Sequence, residues 1–421
     1  MAPFLAINLL GTTLQLITVM LNIYLISEFG DLLRDLPAAF TDPRVKIHFI
    51  GGPDSVFNKQ ENFLEIPKVS NMTFIQSLLL EDNLINLIDG LVIIGSDSEM
   101  REIAKAEVQL DFKLKLLPIK NPEAFKILDS KVGLQEVMEK LKLSAPLGAV
   151  ITGLDELISQ ENYFNLPYLF KGDQGGGGAH VRRISVKSKH PKIDDIPFPF
   201  VLQEEIIGSE ISIDAYFVNG NLRAYIYSDQ IKNMSKFGPS YMRRIAQPPT
   251  EDFLQSLKAI GEFAGAHGLV NTSFIFDSKL DKHLIIEFDP RPNAWHFLAP
   301  TVGIDLVSVF TGPNSEIIET PDKVNFCIIN LNRFIYFLSE FSNPWSYLKA
   351  LSKILDPELL VINGKQLSRF EIFSIFISQS VRITTFKVLR KLFRCLPASI
   401  TYPLKNKKVT NRIARKILGR I

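Results

Sequence analysis

Apolar positions along the chain fall into short runs that alternate with stretches of helical spacing. Residues 45–50, closed by Gly51 and Gly52, and residues 91–94, held between Gly90 and Gly95, are apolar runs ended by turn residues, as buried strands are. The uncharged stretch 4–26 divides in the same way, into an apolar strand at 4–10, a turn at Gly11-Thr12-Thr13, and apolar residues at helical spacing over 14–27. Its length also suits a bilayer core of about 30 Å. Asn8, Gln15 and Asn22 interrupt it, however, and no Lys or Arg precedes it. The buried reading gives a small doubly wound α/β domain ending near Pro118, and the membrane reading stays open beside it.

Helical spacing resumes at Phe125, Leu128, Val132, Leu134, Val137, Met138 and Leu141, and a strand follows over 166–171. Residues 200–210 predict a strand running into a turn, and Ile211, Ile213, Ala215 and Phe217 alternate along a second strand that stops at Asn219-Gly220. Residues 270–277 and 283–289 predict a hairpin joined by a charged loop. Side chains two apart on a strand share a face, so Glu287, Asp289 and Arg291 point one way.

Composition adds two constraints. With 46% hydrophobic and 22% charged residues, disordered and low-complexity classes are excluded. Two cysteines, Cys327 and Cys395, cannot build a disulfide framework or a thiolate zinc site, which favours a reducing, cytoplasmic location.

The net charge of +2 hides an asymmetry: residues 381–421 hold twelve basic side chains and no acidic one, leaving 35 basic against 45 acidic before them. Such a tail, with Phe386, Leu389, Leu392 and Phe393 among its basic residues, suits an anionic membrane surface and a peripheral attachment; no nucleic-acid motif accompanies it. Residues 313–380 carry Phe334, Tyr336, Phe337, Trp345 and Phe370, which predicts a C-terminal helical extension packed on the core or mediating self-association.

Chemistry concentrates at two places. Gly175, Gly176, Gly177 and Gly178 follow the 166–171 strand directly, and ordering four glycines is costly unless close backbone approach is needed, as it is when amides face phosphate oxygens. A mobile surface hairpin is the alternative. On the last strand, Glu287 and Asp289 repel one another unless a cation lies between them, and hard divalent ions accept such oxygens together with phosphates. A solvated cluster of Glu, Asp and Arg is the alternative there.

In this order and spacing the blocks resemble the ATP-grasp superfamily, and more closely its carbamoyl phosphate synthetase-like and biotin carboxylase-like branch, over about residues 117–311. The resemblance implies an α/β (α+β) ATP-grasp fold at 119–312, a pre-ATP-grasp domain at 1–118 and the extension at 313–421. It further implies ATP with Mg²⁺ or Mn²⁺, and an enzyme that activates a carboxylate as an acylphosphate for an amine or similar nucleophile. Carried over by residue, Lys131 and Lys171 match the phosphate-binding lysines and the 175–178 loop matches the flap. Gln203, Glu204 and Ile206 match the adenine segment, and Glu210 matches the ribose carboxylate. Glu287 and Asp289 match the metal pair, with Asp where Asn is usual, and Arg291 matches the arginine beside the γ-phosphate or acylphosphate.

Ser273 stands where the family usually places another carboxylate or amide ligand, and Asp277 is a candidate substitute. Arg243, Arg244, Lys232, Asn293, Trp295 and His296 fall where the substrate side is expected. A non-catalytic nucleotide-binding protein and a membrane-associated factor remain the rival readings.

Overall fold

The computed structural model describes residues 20–160, 163–185, 198–313, 317–318 and 326–330, with the backbone of 361–362 and 365–366. Strands β1 (Leu21–Ile26), β2 (Val45–Gly51), β3 (Phe63–Glu65) and β4 (Leu91–Ile94) form a parallel sheet in the order β3-β2-β1-β4. Helices α1 (Phe74–Leu79), α2 (Asp82–Leu87), α3 (Asp97–Lys105) and α4 (Leu110–Leu116) lie around it in the chain. Parallel strands need crossovers and two covered faces, which is why their sequences are apolar without alternation.

One expectation fails here. Residues 21–26, read at helical spacing, are the central strand β1, paired with β2 on one side and β4 on the other. A short apolar run does not distinguish a buried strand from a helix, and burial on both faces removed the alternation that marks strands. The preceding strand and turn at 4–13 lie outside the described residues. Among the described residues, no helix is long and apolar enough to cross a membrane.

Chain 119–204 builds a second unit. The predicted continuous helix is two elements: a 3₁₀ turn at Pro122–Ile127 and helix α5 (Lys131–Leu141). Asp129 between them adopts a left-handed φ of 53°, and Ser130 caps α5 by accepting from the Gly133 amide. Strands β5 (Gly148–Ile151), β6 (Tyr168–Gly172), β7 (Val181–Ile184) and β8 (Phe200–Glu204), with helix α6 (Leu154–Gln160), form an antiparallel lobe in the order β5-β8-β6-β7. This lobe has its own small core, in which Leu157, Tyr168, Phe170, Phe200 and Leu202 meet.

The third unit is a six-stranded antiparallel sheet. Its strands are β9 (Ser209–Val218), β10 (Asn221–Asn233), β11 (Ser240–Ile245), β12 (Gly268–Asp277), β13 (Lys282–Asp289) and β14 (Phe326–Ile329), ordered β13-β12-β9-β10-β11-β14. Helix α7 (Phe253–Ala264) covers one face, burying Phe253, Leu257 and Ile260, and α8 (Leu306–Thr311) follows the hairpin. The described parts of the expected helical extension are strands: β14 joins the edge at β11, and 361–362 pairs with 365–366. The rest of that extension and the basic tail lie outside the described residues.

The parallel sheet and the six-stranded sheet share two apolar clusters. Tyr24 and Ile26 of β1 belong to the cluster containing Ile213, Val270, Phe274 and Ile285, whereas Ile23 and Leu25 belong to the one containing Tyr216, Ile226 and Trp295. Alternate residues of a single strand thus contribute to both. Replacing Ile23, fully buried, with Ala is expected to cost about 2–5 kcal/mol of unfolding free energy in a denaturant titration.

Candidate functional site

The register of the six-stranded sheet places a polar face at one end of it. Asp289 pairs with Asn271, which pairs with Asp214; Glu287 pairs with Ser273, which pairs with Ser212, and Ser212 with Ser228. Opposed residues in an antiparallel pair share a face, so these side chains form two rows across neighbouring strands. The alternation of Ile211, Ile213 and Ala215 sends the apolar residues to the other face, against α7.

The antiparallel lobe brings its lysines over this face. Asp173, just past β6, fixes the start of α5: its Oδ1 accepts from Ser130 Oγ (2.6 Å) and the Val132 amide (3.0 Å), and its carbonyl accepts from the Lys131 amide (2.9 Å). The Lys131 ammonium donates to the Gly175 carbonyl at 2.7 Å, so the α5 start and the glycine loop are tied together. Gly178, at φ +72°, lies so close to the Phe237 carbonyl that a Cβ would sit 2.1 Å from it. The glycine loop therefore rests on the turn between β10 and β11, a contact that only glycine permits. Glu205 reinforces the closure by accepting from Arg183 of β7 and from Lys236 (3.2 Å) of that same turn.

Electrostatics shows which groups meet. Burial pushes the Lys171 ammonium down to about 8, Glu287 and Glu210 pull it up, and Lys131 pushes it further down. Burial raises Glu210, while Asn233 Nδ2 donates to Glu210 Oε2 and opposes the rise. Asp289 is raised well above the usual carboxylate range, first by burial and then by Glu287, with Arg291 and Lys131 opposing. Burial works against charge on Arg291, but Asp289 and Asp97 hold its guanidinium firmly protonated. Lys131, Lys171, Glu210, Glu287, Asp289 and Arg291 are thus linked by a chain of electrostatic neighbours, with Glu287 common to Lys171, Glu210, Asp289 and Arg291.

Gln203 is buried and Glu204 exposed at the end of β8, and Ile206 is half-buried in the link to β9. A cavity of about 360 Å³ opens beside this link, lined by Gly208, Ser209, Glu210, Gln230 and Asn233. It does not include Lys171 or the Glu287–Asp289 pair.

Other expectations divide. Ser273 Oγ donates to Glu287 Oε2 at 3.3 Å, and among the described residues no group of three or more His, Cys, Asp or Glu side chains is placed to hold a metal. Asp277 is not a substitute ligand: it lies four residues, about 13 Å, further along β12 and accepts from the Lys279 amide (2.8 Å) in the hairpin turn.

Arg243, Asn293, Trp295 and His296 are internal. Arg243 pairs with buried Asp214 (3.4 Å) and lies over the Trp295 ring (4.9 Å), while Asn293 Nδ2 donates to Asp214 and Asn271. They pack on the same side of the sheet as Asp214 and Asn271 and brace that row from within the fold. Arg244 pairs with Asp229 instead, and Lys232 is exposed. Asp97, Asp173, Asn233 and Asp214 were missed, because each acts from a distant segment and none carries a local pattern.

The donor set fits its implied ligands. A half-buried lysine below its ordinary value and a second one bonded to a carbonyl suit anionic oxygens, and Glu287 with a raised Asp289 suits a hard cation. Replacing Gly178 with Ala is expected to lift the loop from Phe237, read as faster hydrogen exchange over residues 175–180 with little change in melting temperature.

No family model matches the chain, and no curated protein matches it. Among solved structures, it is similar to N5-carboxyaminoimidazole synthase from Aspergillus clavatus, determined with ADP and 5-aminoimidazole ribonucleotide. That match has a TM-score of 0.56 and 12% identity, and covers 81% of this chain and 88% of that one. Biotin carboxylase from Campylobacter jejuni, in a complex with an ATP analogue, has a TM-score of 0.54 and 15% identity over 73% of this chain and 74% of that one. Phosphoribosylamine–glycine ligase from Thermotoga maritima has a TM-score of 0.52 and 16% identity over 72% and 78%. These similarities extend over most of the chain, and by them the chain, with its parallel and antiparallel sheets, has the ATP-grasp fold.

Proposed function

We propose that this protein is an ATP-dependent ligase that activates a carboxylate for attack by an amine or a similar nucleophile. The observation that carries the reading is the convergence of Lys171, Lys131 and the glycine loop on Glu287, Asp289 and Arg291. Phosphoryl transfer needs positioned charge more than covalent help from the protein, and that is what these residues offer.

In this reading Lys131 and Lys171 hold phosphate oxygens, and the amides of the 175–178 loop cover them. Backbone groups of Gln203, Glu204 and Ile206 take the adenine edge, and Glu210, steadied by Asn233, accepts from the ribose hydroxyls. Glu287 and Asp289 would hold Mg²⁺ or Mn²⁺, which when bound neutralises phosphate charge. A substrate carboxylate oxygen attacks the γ-phosphorus, and the bond to the bridging oxygen breaks to release ADP. The nucleophile then adds to the acyl carbon, gives up its proton, and phosphate leaves with the carbon–oxygen bond pair. Arg291, held by Asp289 and Asp97, presents its remaining guanidinium N–H to the transferred group. The closed loop keeps water from the acylphosphate.

One observation favours a second reading. Ser273 offers a hydroxyl where a further carboxylate would complete the metal set, which suits a protein that binds the nucleotide without turning it over. ADP formation across a panel of amino acids and small carboxylates separates the two, since the ligase needs a carboxylate that stimulates it.

Replacing Lys171 or Glu287 with Ala is expected to abolish stimulated ADP formation while the protein stays folded by circular dichroism. Lys171 also sets two pH trends of opposite sign. Nucleotide affinity should fall as the pH rises through about 8, because phosphate binds the charged lysine. Stability of the unliganded protein should gain from the same residue as the pH rises from about 8 toward the ordinary lysine value, because there the unfolded chain binds the extra proton. Calorimetric titrations and chemical melts across that range read both.

A further inference from the structure

Arg291 is held from two distant parts of the chain. Its NH2 group donates to Asp289 at 3.1 Å, and its Nε donates to Asp97, 194 residues away at the start of α3. Among the described residues, its NH1 group has only a long contact, 3.4 Å, to its neighbour's carbonyl at Pro292. Guanidinium carries five N–H donors in a rigid plane, so anchoring Nε and NH2 on two separate carboxylates fixes the plane and leaves NH1 for an outside oxygen.

Asp97 is itself well fixed. It is the first residue of α3, where a carboxylate is favoured by the exposed amides and the helix dipole, and Ser96 caps that turn by accepting from the Glu99 amide (3.2 Å). One helical turn on, Arg101 of α3 pairs with Asp129, two residues before Lys131. The same short helix therefore reaches both the Arg291 side and the Lys131 side of the site.

We propose that Asp97 is a positioning residue of the nucleotide site, acting through Arg291. This rests on the nucleotide reading above and goes beyond it by giving the parallel-sheet unit a role in ATP recognition. Without Asp97, the guanidinium is free to turn and chelate Asp289 with both prongs, the geometry that carboxylates and arginine prefer. That movement takes the free NH1 away from the terminal phosphate. Asp97 acts by competing with Asp289 for the fork.

The test is calorimetric titration of the full chain with Mg²⁺ and either ADP or a non-hydrolysable β,γ-imido ATP analogue. Asp97→Ala should weaken the ATP analogue by about tenfold or more, the loss expected of one charge-assisted hydrogen bond, and leave ADP nearly unchanged. Asp97→Glu should restore part of the preference. Arg291→Ala should lose as much, and the double variant no more than Arg291→Ala alone, because the two side chains act as one unit.

A merely structural Asp97 would weaken both nucleotides equally, or add its effect to that of Arg291→Ala, and either result overturns the proposal. Unchanged preference in a folded Asp97→Ala or Asp97→Asn protein overturns it as well. If the unaltered protein binds neither nucleotide, the nucleotide reading fails first and this one with it, an outcome distinct from all the others.

Discussion

The site depends on a balance of charge in a space that is only partly open to water. Lys131, Lys171 and Arg291 face Glu210, Glu287, Asp289 and Asp97, and none of them is fully solvated. Charge in such a space is costly without an opposite charge nearby, and removing one partner leaves the other unpaired. Lys171 and Asp289 show the tension: burial drives both toward neutrality, and the neighbouring charges resist it. A polyanionic ligand with its cation would relieve both at once, which is a physical reason for such a pocket to bind one.

The polar face that carries this balance is built by register. A shift of one residue in β12 would exchange Asn271 and Ser273 for Val270 and Thr272 and turn the polar row inward. The buried set of Asp214, Arg243, Asn293 and Trp295 guards against such a slip, since its hydrogen bonds can be made in one alignment only. Trp295 and His296, which follow β13, thus help to hold the site in register.

Much of this was legible in the sequence. The glycine run, the two lysines and the E-x-D pattern carry local signatures, alternation along 211–217 assigned the faces correctly, and the two-residue spacing of Glu287 and Asp289 put both on one face. The central strand β1 was misread because burial on both sides erases periodicity. The break before α5 was missed because Asp129 and Ser130 look like helix surface until the left-handed turn is seen. Asp97 and Asp173 escaped because their partners lie 194 and 41 to 43 residues away, and a pairing over that separation leaves no trace in either segment alone.

The small core of the β5–β8 lobe, gathered around Phe170 and Leu202, is separate from the two clusters that join the large sheets. Its cohesion can therefore change without loosening the strands that carry Glu287 and Asp289. Lys171 of β6 and the glycine loop belong to that lobe, so substitutions in its core would shift them relative to Glu287 and Asp289. The two halves of the site are thus steadied by separate cores, and a change in one reaches the other only across the gap between them.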